Sequence, residues 1–184
     1  MGLCCFLRAA SLLPVTELRT PRLRLHPIDT AEGERIVGRR AGAGDDWAED
    51  FPFDGDVLGV RGFLAATAAY GDRRPLGHYR ITRTADGKAI GGIGFKGQPE
   101  NGRIEVGYGL APSARGNGYA AEALAALLDL ATAHGLSCVV AETTGDNVAS
   151  RRTLERAGFR HTGTNDALCQ YEVLLGASRP TRRR

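Results

Sequence analysis

The chain has 184 residues, 24% of them charged and 42% hydrophobic, with a formal charge of +3. That length fits one domain with a core able to fold alone. Arg179, Arg182, Arg183 and Arg184 lie in a Pro-containing tail without interleaved aromatic residues, and without them the balance is −1. The basic excess is therefore no footprint for nucleic acid, and no stretch approaches the ~20 apolar residues of a membrane span.

Residues 1–15 read as a loose extension, 16–176 as the domain and 177–184 as a disordered basic tail. The first residues lack the charged start of a signal peptide, and Arg8 interrupts their apolar run. Phe6 stands where an N-myristoylation signal has Ser or Thr. Cys4, Cys5, Cys138 and Cys169 form no CxxC pair, and no His cluster completes a metal site. Reduced thiols in a cytoplasmic protein are the expectation, with Cys138 a small core residue.

In chain order, Arg22-Leu-Arg-Leu-His26 alternates as a strand. Asp29-Thr30 caps a helix running to about Arg40, which Ala41-Gly-Ala-Gly44 ends. Residues 45–56 carry six acids, three aromatics and no base, and Val57 to Tyr70 reads as a second helix. Strands are predicted at Gly77–Thr84, Ala89–Lys96 and Arg103–Leu110. Asp86-Gly87 and Glu100-Asn101-Gly102 supply tight turns between them, which makes an antiparallel meander. From Tyr119 onward Ala120, Leu124, Leu127, Leu128 and Ala131 recur at helical spacing until His134-Gly135. A strand at Ser137–Thr143, a helix at Asn147–Ala157 and strands near Phe159–Thr164 and Leu168–Leu175 complete the chain. Together these predict an α/β (α+β) fold with a mixed central sheet of six to seven strands and about four helices.

The chemistry concentrates at Arg115-Gly116-Asn117-Gly118-Tyr119-Ala120, where a strand gives way to a helix. Bare N–H groups and the positive end of a helix dipole make such a turn an anion site. Glycines let those donors approach a phosphate closely. Tight helix packing is the plainer reading. Gly116-x-Gly118-x-x-Ala121 also fits the dinucleotide fingerprint, but only about forty residues follow Glu142, too few for the further βα units of that fold.

Leu110-Ala-Pro-Ser-Ala-Arg115-Gly-Asn-Gly118-Tyr-Ala120 resembles the acyl-CoA motif R/Q-x-x-G-x-G/A of the GNAT N-acetyltransferases. Asn147-Val-Ala-Ser150-Arg-Arg-Thr-Leu154-Glu-Arg-Ala-Gly158-Phe159 resembles the second motif of that family, N-x-x-S-x-x-x-L-x-x-x-G-F. The wording is closest to the branch holding the ribosomal-protein alanine N-acetyltransferases. The resemblance covers roughly residues 16 to 175 and is sharpest from Glu105 to Phe159.

That resemblance implies the GNAT acyl-CoA N-acyltransferase fold, in which the strand before the turn splays from its neighbour and pantetheine lies between them. It implies transfer of an acetyl group from acetyl-CoA to a primary amine, a protein N-terminal α-amine or a small cationic amine, by direct attack in a ternary complex. The alternative is a catalytically silent acyl-CoA sensor. Cofactor contacts are expected from Leu110, Arg115, Gly116, Asn117, Gly118, Tyr119, Ala120, Asn147 and Ser150, with no metal. Gly107 and Gly109 suggest a bulge or a close backbone approach. Asn147 also reads as a helix N-cap.

Glu105 is the candidate general base beside the thioester, or else a surface carboxylate; Glu142 is second choice. Many relatives place a tyrosine acid where this chain has Leu154, so Ser150 or Tyr108 is left to serve the leaving thiolate. In the family the loop between the N-terminal helices walls the acceptor cleft. Asp46, Glu49, Trp47 and Phe51 are therefore candidate acceptor-binding residues, drawing a cation by field and aromatic contact. A solvated acidic loop is the plainer alternative. The expected partners are acetyl-CoA and an amine acceptor, without nucleic acid or membrane, in a monomer or homodimer.

Overall fold

A computed structural model describes residues 17–176; the expected N-terminal extension and basic tail lie outside the described residues. The elements in chain order are β1 (Leu18–Arg19), β2 (Leu23–Pro27), α1 (Thr30–Val37), α2 (Asp54–Tyr70), β3 (His78–Arg83), β4 (Ala89–Glu100) and β5 (Arg103–Leu110). They continue with α3 (Tyr119–Ala133), β6 (Cys138–Thr144), α4 (Val148–Arg156), β7 (Arg160–Asn165) and β8 (Leu168–Leu174). A short 3₁₀ turn, Pro112–Ala114, precedes α3. The sheet has eight strands in the order β1-β2-β3-β4-β5-β6-β8-β7, where the sequence predicted six to seven. Among the described residues no helix is long and apolar enough to cross a membrane.

β1 to β5 form an antiparallel meander. Asn101 and Gly102, both at positive φ, make the two-residue turn between β4 and β5, whose twist matches that of the strands it joins. β6 then lies parallel to β5, but only over Arg103↔Cys138, Ile104↔Val139 and Glu105↔Val140. Beyond that point β5 follows β4 as far as Leu110, while β6 follows β8 as far as Thr144. The two central strands part, as the family resemblance implied.

Register assigns the faces. Gly92 and Gly94 of β4 pair with Gly109 and Gly107 of β5, so all four share one face. Ile93, Phe95, Val106 and Tyr108 take the other. α2 packs on the glycine face and against α1. α3 packs on the opposite face against β2, β4 and β5, beside α4. Ala123, Leu124, Leu127, Leu128 and Ala131 of α3 are all buried, at the spacing that predicted the helix. Burial of each leucine contributes roughly 1.5–3 kcal/mol.

α1 ends at Val37, short of the expected Arg40, because Gly38 closes it. α2 starts at Asp54, three residues before the expected Val57, because Asp56 reaches back to accept the Phe53 amide, the return half of a capping box. Cys138 is buried in β6, as its apolar setting predicted.

Candidate active site

The helix-opening turn has the bared amides that its glycines imply. Gly116 and Gly118 adopt φ of 79° and 77°, and nothing lies within 4 Å of where a Cβ on Gly116 would sit. The N–H groups of Gly116 through Ala121 meet no protein acceptor among the described residues. Arg22, which the sequence did not single out, brings a guanidinium to the turn, 3.6 Å from where a Cβ on Gly118 would sit. It pairs with Glu122 at 2.7 Å, donates to the Asn117 carbonyl at 3.0 Å and lies over the Tyr119 ring. Arg115, exposed overall, bends back along the chain: its Nε donates to the Leu110 carbonyl at 3.0 Å, and its guanidinium sits 5.3 Å from the Phe53 ring centre. Asn117 bonds to the carbonyls of Ala114 and Arg115. The backbone of this turn therefore faces out, while Arg115 and Asn117 brace it.

A cleft of about 550 Å³ occupies the gap between β5 and β6. Val106 to Gly109, Ala141 to Thr143, Asn147 and Ser150 form one side, and α2 with Phe95 to Gly97 forms the other. Asn147 caps α4 by accepting the Ser150 amide at 3.1 Å. That cap holds Ser150 against Tyr108, whose hydroxyl is 2.9 Å from Ser150 Oγ and donates to the Ser150 carbonyl at 3.1 Å. Burial pushes the Tyr108 phenol up to about 12, so it stays protonated across physiological pH. Leu154, where relatives place the tyrosine acid, is fully buried.

The α2 side rests on a floor of glycines. A Cβ on Gly92 would lie 2.6 Å from His78 Nε2, one on Gly94 2.8 Å from His78 Cα, and one on Gly109 2.6 Å from Phe53 Cζ. Gly107 and Gly109 thus mark a close approach rather than a bulge, since pairing with β4 runs unbroken past both. His78 and Asp56 sit together above Gly92. Burial lowers His78 to about 4, leaving it neutral. Burial raises Asp56 to about 7, against the opposing pull of the Phe53 and Gly92 amides and of Arg115 and Arg39. The Phe53 amide donates to Asp56 Oδ2, while buried Oδ1 meets no partner among the described residues.

Of the other residues expected at the site, Glu142 lines the cleft and Glu105, Asp46, Trp47, Glu49 and Phe51 do not. Glu105 does not line the cleft; it pairs with Lys96 directly across the β4–β5 ladder at 2.6 Å. Glu142 does line it and accepts from Gln170 at 3.2 Å. Trp47 and Phe51 turn toward the core, edge to face with centroids 5.4 Å apart. Asp46 and Glu49 are exposed and outside the cleft. Asp50 binds Ser113 through its amide at 2.8 Å and hydroxyl at 2.7 Å. Asp45 holds Arg35 and Arg80, and Asp54 holds Arg39. The acidic segment is thus mostly engaged in holding the scaffold, and Asp56 is its member that reaches the cleft. The residues missed were Asp56, His78 and Arg73; the run Gly91-Gly92-Ile93-Gly94 was the available signal, since bare backbone there makes room for side chains from another element.

Comparison with known proteins agrees with this geometry. The family model described as "Acetyltransferase (GNAT) domain" matches residues 22–160. An uncharacterized N-acetyltransferase, YjdG, of Bacillus subtilis (strain 168) is 38% identical over 81 residues, 43% of this chain; the match spans about half of that relative, 48% of its length. The crystal structure of an acetyltransferase from Agrobacterium tumefaciens str. C58 is 27% identical and superposes with a TM-score of 0.62, covering 90% of this chain and 98% of that one. A ribosomal-protein-S5-alanine acetyltransferase from Vibrio fischeri shares the fold at 16% identity, with a TM-score of 0.63 over 90% of this chain and all of that one. With the splayed strand pair, the bare-amide turn and a family match over most of its length, the chain belongs to the GNAT acetyltransferase family.

Proposed function

We propose that this enzyme moves an acetyl group from acetyl-CoA to a primary amine by direct attack in a ternary complex. The observation that carries the reading is the parting of β5 from β6, which opens a cleft, on the strand that leads into the bare-amide turn at Gly116–Ala121. The amides of that turn fit a diphosphate: they are unpaired, glycine-lined and backed by a helix dipole. Pantetheine would follow the open edges of Val106–Leu110 and Ala141–Thr144, with Asn147 and Ser150 along its path. Amide groups on the open edge of β5 polarise the thioester carbonyl. The Tyr108 phenol, kept neutral and held by Ser150, gives its proton to the departing thiolate. Tyr108 thereby fills the role left open at Leu154, which favours an enzyme over a silent sensor.

Calorimetry with acetyl-CoA and thiol release over a panel of amines test the reading. Binding together with CoA release that depends on the amine is expected. Absence of both would remove it.

A further inference from the structure

Three charged-group atoms in the cleft are buried without a well-formed hydrogen bond among the described residues: Asp56 Oδ1 on the first turn of α2, whose carboxyl otherwise feels only the Phe53 and Gly92 amides and two more distant guanidinium groups, and Nε and Nη1 of Arg73 just beyond its end. Capping the start of α2 needs one carboxylate oxygen, and Asp56 Oδ2 already serves the Phe53 amide. His78, its uncharged neighbour, brings no cation to it. Elsewhere buried carboxylates meet a guanidinium, as Glu32 and Asp45 meet Arg80. A buried carboxyl oxygen and buried guanidinium nitrogens, all without partners in one cleft, point to a ligand bearing both complements.

On the N-acetyltransferase reading, we propose that the α2 wall is the acceptor subsite: Asp56 receives the amine, and Arg73 binds an anionic group farther along the same molecule. The acceptor class is an acidic peptide N-terminus. Along α2, Asp56 to Ala66, the last residue of the helix to line the cleft that Arg73 also lines, spans about 15 Å at 1.5 Å per residue, and an extended peptide covers that in four to five residues at ~3.3–3.6 Å each. Leu58, Phe63 and Ala66 line the stretch between, an apolar track for intervening side chains.

In the reaction the ammonium gives one proton to Asp56 Oδ1. The neutral nitrogen forms the C–N bond as the C–S bond breaks. A second nitrogen proton is lost to solvent while Tyr108 protonates the thiolate and is itself reprotonated from solvent. The charged and titratable groups around Asp56 are His78 from β3, Arg115 from the turn and Arg39 after α1; with burial dominating, the carboxyl sits near the range where it can take a proton from an α-ammonium.

The test uses free-amine pentapeptides with Glu, Gln or Lys at the fourth position, acetyl-CoA and thiol release. A KM about tenfold lower for the Glu peptide than for the Gln peptide is expected, as one desolvated ion pair supplies. Arg73→Gln should erase that preference. Asp56→Asn, whose carbonyl still caps the Phe53 amide, should lower kcat at least tenfold and flatten the fall of kcat/KM below about pH 7, with acetyl-CoA affinity unchanged. Asp56→Glu should recover part of kcat. Equal KM for the three peptides, a Glu preference surviving Arg73→Gln, or wild-type kcat in Asp56→Asn would each overturn the subsite while the acetyltransferase stands. A wild-type protein that neither binds acetyl-CoA nor acetylates any amine would instead defeat the activity itself.

Discussion

Asp56 and His78 lie against the same glycine, yet burial moves their protonation equilibria in opposite directions. The Asp56 carboxyl rises from an ordinary 3.8 to about 7, so its stabilising contribution is complete below about pH 4 and is lost as pH climbs to 7. His78 falls from 6.5 to about 4, so its contribution is complete above pH 6.5 and is lost as pH falls to 4. Asp56→Asn removes only the first effect. The Tm of that variant relative to wild type should therefore rise between pH 4 and 7 and level off above, whereas a constant difference in melts across that range would contradict the assignment. Tyr108→Phe should lower kcat about a hundredfold or more, with acetyl-CoA affinity little changed, and the lost Ser150 bonds should cost about 1 kcal/mol. Glu105→Gln breaks only a half-exposed pair with Lys96, worth about 0–1 kcal/mol. Its kcat should stay near wild type; a collapse would restore Glu105 as the base. The sequence marked Tyr108, Ser150 and Asn147 through their motif neighbourhood. The glycine run at 91–94 signalled room for side chains from another element, but not that Asp56 or Arg73 would fill it, because an unmet polar group becomes visible only once surrounding elements have excluded water from it.

The glycines that floor the α2 wall are not equivalent. A Cβ on Gly94 would lie 2.8 Å from His78 Cα and 2.9 Å from the Gly77 carbonyl, backbone atoms that yield only if β3 and β4 separate. A Cβ on Gly107 meets chiefly the Lys96 side chain near its flexible end. Gly94→Ala should destabilise by about 2–3 kcal/mol, with Gly107→Ala well below it, in parallel urea unfolding. Helix α3 and strand β5 were legible nearly to the residue, because 3.6-residue and two-residue periodicities are local properties. The acidic segment before α2 was legible as a segment but not in its direction. Nothing in its composition tells that Trp47 and Phe51 turn to the core while Asp45, Asp50 and Asp54 hold Arg35, Ser113 and Arg39. β1, two residues long, carries too short a pattern to read.

Across the whole molecule, the meander, the crossover through α3 and the return through β6 to β8 follow from element order and turn chemistry. The parting of the sheet does not follow from them, because it depends on how far two distant strands stay paired. That parting leaves five strands on one side and three on the other, joined by a ladder three residues long and by α3 and α4. A linkage so brief makes the protein mechanically two plates on a narrow isthmus. The interior amides of Val106–Leu110 and Ala141–Thr144 should exchange with deuterium sooner than those of the flanking strands. A ligand seated in the gap touches both plates at once, so acetyl-CoA should act as mortar as well as reactant, slowing exchange on both shores together.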